Sequence, residues 1–120
     1  MTGGLNQRYG QALSSYVAHA TSVRQVHKSD LKAGDHLYIV TENSRYHVRS
    51  ADAGWYVVSG GWFDHKGIGP LRIKIAGCTW GGSVIKVDVV AAVGLSVEFG
   101  NRVTTSPIQK IILIPRERQN

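Results

Sequence analysis

His36-Leu37-Tyr38-Ile39-Val40-Thr41-Glu42-Asn43-Ser44-Arg45-Tyr46-His47-Val48-Arg49-Ser50 reads as two strands joined by a short polar turn. Side chains on a strand point alternately to opposite faces. Leu37 and Ile39 therefore share one face, and so do Tyr46 and Val48 on the returning strand. Arg45, His47 and Arg49 take the other face. Glu42-Asn43-Ser44 has the composition and length of a hairpin connection. An apolar face and a wet, basic face on one hairpin indicate a half-buried antiparallel sheet.

The same period of two continues outward from this hairpin. Apolar positions recur at Trp55/Val57, Ile73/Ile75, Ile85/Val87/Val89 and Leu95/Val97/Phe99, with mostly polar neighbours. Gln109 to Ile114 is apolar on both sides, which predicts a strand that is central or covered on its second face, for example by an N-terminal helix. Pro115 stops it. Lys32-Ala33-Gly34-Asp35, Asp52-Ala53-Gly54, the stretch from Gly60 to Pro70, Gly77 to Gly82, Gly94 and Gly100-Asn101 supply the turns. The expected fold is mainly β: a small antiparallel barrel, or a two-sheet sandwich, of about seven strands. The barrel is the preferred form because closure removes exposed sheet edges. It is expected to span about residues 31–115 of one domain covering 1–120, followed by a polar tail over 116–120.

Upstream, Leu5, Tyr9, Ala12, Leu13, Tyr16, Val17 and Ala20 fall at helical spacing, so an amphipathic helix is expected over about 5–20. Gly10 weakens it by up to about 1 kcal/mol relative to Ala. Such a helix depends on packing against the sheet or against a second copy of the chain. The longest apolar run, Ile111 to Ile114, is far short of the roughly 20 residues that cross a bilayer. The first residues lack the basic start and apolar stretch of a secretory signal, and a lone Cys78 has no internal disulfide partner. These features favour a cytoplasmic location and no membrane partner. Fourteen Lys and Arg against eight Asp and Glu give a formal charge of +6, which biases the chain toward acidic partners.

Thr41-Glu42-Asn43-Ser44-Arg45-Tyr46, Gly77-Cys78-Thr79-Trp80-Gly81-Gly82-Ser83, Gly94-Leu95-Ser96-Val97-Glu98-Phe99 and Thr104-Thr105-Ser106-Pro107-Ile108 together resemble short signatures shared by small bacterial β domains. The likeness runs over about residues 36–114. It implies a β architecture and carries over no activity, cofactor or functional residue.

Candidate chemistry concentrates on the polar sides of the strands. Arg45, His47 and Arg49 share one parity, and Arg72 and Lys74 share the parity opposite to Ile73 and Ile75. Neighbouring strands would merge them into one basic face. Trp55, Trp62, Phe63 and Trp80 are candidate platforms for unstacked bases, the combination by which small β domains hold single strands. The competing reading puts Trp55 in the core, folds Trp62 and Phe63 under their own loop, and leaves the charges as solvated surface. Gly60 to Pro70 is long for a hairpin loop and brings together Trp62, Asp64, His65 and Lys66, so Trp62, Asp64 and His65 join Arg45, Arg49, Arg72 and Lys74 as expected binding residues. His36, His47, Asp64 and His65 have ligand chemistry but no metal-binding spacing, and no cofactor is expected.

Cys78 beside a glycine turn is either a small buried hydrophobe or a nucleophile awaiting a base. No nucleophile elbow, phosphate-binding glycine loop or paired carboxylates accompany it. The expected function is a non-catalytic binding or assembly module with a basic face for a polyanion such as single-stranded nucleic acid. The alternatives are a homo-oligomer, assembled through the N-terminal helix, that binds a small ligand in a pocket of Trp55, Tyr56, Trp62 and Trp80, or a thiol-dependent enzyme using Cys78.

Overall fold

A computed structural model describes residues 20–80 and 85–116. The expected helix, apart from Ala20, and the last four residues of the expected tail lie outside them. The chain runs through β1 (Thr21–Val23), β2 (Gln25–His27), β3 (His36–Thr41), β4 (Arg45–Ser50), β5 (Tyr56–Gly60), the short helix α1 (Gly61–His65), β6 (Leu71–Ile73), β7 (Ile75–Thr79), β8 (Ile85–Lys86), β9 (Val89–Ala92), β10 (Ser96–Phe99) and β11 (Ile108–Ile114). No helix among the described residues is long and apolar enough to cross a membrane.

Residues 36–50 form the expected hairpin, with Leu37 opposite Val48 and Ile39 opposite Tyr46. Thr41 closes its turn: Thr41 N–H donates to the Ser44 carbonyl at 2.8 Å, and Ser44 N–H donates to Thr41 Oγ1 at 3.0 Å. The hairpin is the centre of a six-stranded antiparallel sheet in the order β1-β11-β3-β4-β5-β6. β11 is central, between β1 and β3, as its apolar character on both sides required.

The inner face of this sheet carries Leu37, Ile39, Tyr46, Val48, Tyr56, Val58, Ile73 and Ile111, all buried. They join one apolar cluster with Ile75, Cys78, the β9 residues Val89–Ala92, Val97, Phe99 and Phe63. Each fully buried aliphatic side chain there contributes about 1.5–3 kcal/mol of transfer free energy.

The pairing does not close into a barrel. The large sheet ends at β1 and β6, while β10-β7-β8 and β2-β9 form separate small sheets. The reason lies at Lys74, where the chain leaves β6 for β7 and one run of sequence serves two sheets. Eleven strands among the described residues replace the expected seven or so. Ile73/Ile75 divides at Lys74, Ile85/Val87/Val89 divides at a turn that leaves Val87 exposed, and β1 and β2 are three-residue strands. A second correction concerns parity. Tyr56 and Val58, not Trp55 and Val57, face the core, because Tyr56 pairs with both Ser50 and Ile73 on the inner side.

The stretch expected as irregular after Gly60 begins with α1. Gly60 and Gly61 both have positive φ, 93° and 43°. A Cβ on Gly60 would strike the Arg45 carbonyl oxygen, and one on Gly61 would strike the Tyr46 ring, so both conformation and space call for glycine here. The Gly60 N–H donates to Asp64 Oδ1 at 2.9 Å and Phe63 is fully buried, which together seat the single helical turn against the sheet end.

Candidate functional site

Outward residues of the large sheet line up in rows set by the register. His36, Arg49, Val57 and Arg72 form one row across β3, β4, β5 and β6. Ile112, Tyr38, His47 and Ser59 form a second, and Lys110, Val40 and Arg45 a third. Directly opposed side chains lie roughly 4.5–5.5 Å apart at Cβ. Arg45, Arg49 and Arg72 therefore share a single surface, together with Lys110. Trp55 and Lys74, at the margin beyond β5 and β6, extend it: the Arg72 guanidinium lies 4.8 Å and the Lys74 ammonium 4.9 Å from the centre of the Trp55 ring. Trp55 thus holds two cations by cation–π attraction and is not a core residue.

Acidic groups stand elsewhere. Asp30, Asp35, Glu42, Asp52, Asp64, Asp88 and Glu98 all fall outside the outward positions of β3, β4, β5, β6 and β11. Among the described residues, the salt bridge that forms is His27–Asp30, away from this face, and Arg45, Arg49, Arg72 and Lys74 have no carboxylate within ion-pair distance. Among the described residues, none of these four cations is ion-paired.

Flat rings sit among these cations. Tyr38 stacks on His47 with centroids 4.6 Å apart and planes 9° from parallel, and His47 lies parallel to His36 at 4.9 Å. His36 Nδ1 and His47 Nε2 are 2.7 Å apart, a hydrogen bond that only one of them donates. Burial, then the Arg49 charge, lowers the His36 pKa against the opposing pull of Asp35; burial, then His36 and Arg49, lowers that of His47. Both shifts favour neutral rings at pH 7, and the shared hydrogen bond needs at least one of the two to stay unprotonated.

A pH dependence follows. The unfolded chain takes up protons near the ordinary histidine value of about 6.5, before the folded chain does. Stability is full above that pH and falls as pH drops from there through the lowered folded values. Thermal midpoints measured from pH 7.5 to 5 are expected to fall less steeply in H47N than in the parent chain. Equal slopes would place the acid sensitivity elsewhere.

Trp62, Asp64 and His65 come together on α1, beside the β3–β4 turn. Trp62 and His65, but not Asp64, line an open hollow of about 520 Å³ together with Asn43, Ser44, Tyr46, Gly61 and residues Val103–Ser106. Asp64 is occupied by the Gly60 amide. Trp62 packs edge-on to Phe63 at 5.3 Å, and its N–H backbone donates to the Tyr46 hydroxyl at 3.3 Å. The expected four-residue aromatic pocket does not form: Trp55 is on the outer face, Tyr56 on the inner, and Trp80 is 63% exposed at the end of β7. Tyr38 and Lys110 join the site without having been expected there, whereas Trp55 was expected as a base platform and His36 only for its ligand chemistry. Tyr38 was accessible to the sequence reading, having the parity opposite to Leu37 and Ile39.

Among the described residues, no three His, Cys, Asp or Glu side chains gather as metal ligands. Cys78 is fully buried, its thiol donating to the Val90 carbonyl at 3.5 Å, and burial pushes its pKa up to about 11. A thiol of that kind is a poor nucleophile at neutral pH, which counts against the thiol-enzyme reading. Cys78 in the native protein is expected to resist iodoacetamide for hours and to react within minutes in denaturant. Rapid native labelling, followed by mass spectrometry, would reopen it.

No family model matches the chain, and neither the curated proteins nor the solved structures contain a match to it.

Proposed function

We propose that the protein is a non-catalytic binding module that holds a polyanion, specifically single-stranded nucleic acid, on the outer face of its six-stranded sheet, and that it acts in the cytoplasm. The supporting observation is the face itself: Arg45, Arg49, Arg72, Lys74 and Lys110 on one surface with no carboxylate among its described outward residues, interleaved with stacked, solvent-reachable rings. Unpaired guanidinium groups suit phosphate, which they grip with paired N–H donors. Tyr38, 42% exposed, offers its ring to a base. Only an unpaired strand can present bases to it, because a duplex keeps them stacked inside.

The alternative of a small ligand in a tryptophan-lined pocket is weakened by the divergence of Trp55, Tyr56 and Trp80. The test is fluorescence anisotropy of labelled single-stranded DNA and RNA across a salt series. Neutralising three to five phosphates corresponds to a log–log salt slope of roughly −2 to −3.5. No binding at low salt would leave the basic face as ordinary surface.

A further inference from the structure

The hollow beside the β3–β4 turn differs from the face in one respect: its lining residues include no Lys, Arg, Asp or Glu. A phosphate or carboxylate therefore meets no Lys or Arg inside it. Its floor is a fixed hydrogen-bonded frame. Ser106 Oγ donates to Thr41 Oγ1 at 2.8 Å, Asn43 N–H donates to Ser106 Oγ at 3.0 Å, and Ser44 N–H donates to Thr41 Oγ1 at 3.0 Å. Above that frame stand Trp62, half-buried, and two exposed polar side chains, the Asn43 amide and the His65 imidazole, neither engaged with another described residue. An indole wall with free donors and acceptors at the rim suits a neutral, planar ring with hydrogen-bonding edges. The volume lies within the range of pockets that hold small molecules, roughly 300–1,000 Å³.

Position adds a second constraint. Sharing Asn43 and Ser44 with this hollow is a smaller one of about 290 Å³, lined also by Val40, Thr41, Glu42, Arg45 and Gln109, and Arg45 belongs to the basic face. A strand leaving the face past Arg45 passes Glu42 and the Asn43-Ser44 turn, and the larger hollow, lined by no Lys, Arg, Asp or Glu, comes next. Resting on the nucleic-acid reading, we infer that this hollow is a one-base pocket, taking a single unpaired nucleobase from the bound strand, stacked on Trp62 and hydrogen-bonded at its edge by Asn43 and His65.

The test compares a thymidine octanucleotide with an octamer of abasic residues carrying the same phosphates, each titrated by anisotropy against the parent chain and against N43A/H65A. Both side chains are exposed and unengaged, so the variant is expected to fold, which its circular dichroism and melting curve verify. Losing two hydrogen bonds lowers the affinity ratio, thymidine over abasic, by roughly 5- to 30-fold, equivalent to about 1–2 kcal/mol for the pair. A ratio unchanged in N43A/H65A, with both strands still bound, overturns the pocket and leaves the face standing. Failure of the parent chain to bind either strand overturns the face and the pocket together.

Discussion

The triple variant R45E/R49E/R72E is expected to lose single-strand binding by roughly a thousandfold, from about 1.5 kcal/mol for each of three charge-assisted phosphate contacts. Reversal does more than deletion, since it places carboxylates where the described face has none, so the residual salt slope should fall to that of Lys74 and Lys110 or below. The same substitutions should hardly touch the fold. All three side chains are exposed and hold no ion pair among the described residues, and surface changes of that kind usually fall within about ±0.5 kcal/mol each. Anisotropy and urea unfolding on one preparation separate the two effects. Affinity retained in a folded triple variant would rule the face out.

Stability turns on a different residue. Phe63→Ala is expected to cost about 3–5 kcal/mol, a large part of the 5–15 kcal/mol that holds a domain of this size together. Phe63 is fully buried and meets Phe99 at 4.9 Å, Trp62 at 5.3 Å and Tyr46 at 6.2 Å, each ring edge-on. It is the residue through which α1 is anchored, so truncation both opens a cavity and frees Trp62 from its wall. Phe63→Leu, which keeps most of the volume, should recover more than half of the loss. A cost for the alanine variant below about 1 kcal/mol in urea unfolding would mean that α1 is held otherwise.

The hairpin at 36–50 was legible because its alternation is unambiguous: each apolar residue that faces inward is flanked by polar or outward-facing ones, and a polar turn fixes where the strands reverse. Parity alone then assigned Arg45, Arg49, Arg72 and Lys74 to one side. It failed at Trp55-Tyr56-Val57-Val58, where four consecutive apolar residues permit either register, and the choice is made by Tyr56 pairing with Ser50 and Ile73. Closure was not legible either. Whether Ile73 and Ile75 belong to one strand or two depends on a single residue, Lys74, and local sequence does not encode which sheet the chain joins next. α1 was hidden by its own glycines, which read as loop but serve the close approach to Arg45 and Tyr46. β1 and β2 are too short to show a period.

The central claim is that the polyanion lies on the outer face of the six-stranded sheet. A titration of isotope-labelled protein with a short oligonucleotide, followed by two-dimensional NMR, tests it residue by residue. The account predicts that the largest shifts fall on Tyr38, Arg45, His47, Arg49 and Arg72, clustered by the cross-strand rows. Shifts confined to β7, β8 and the Trp80 turn, or no shifts at low salt, would contradict it.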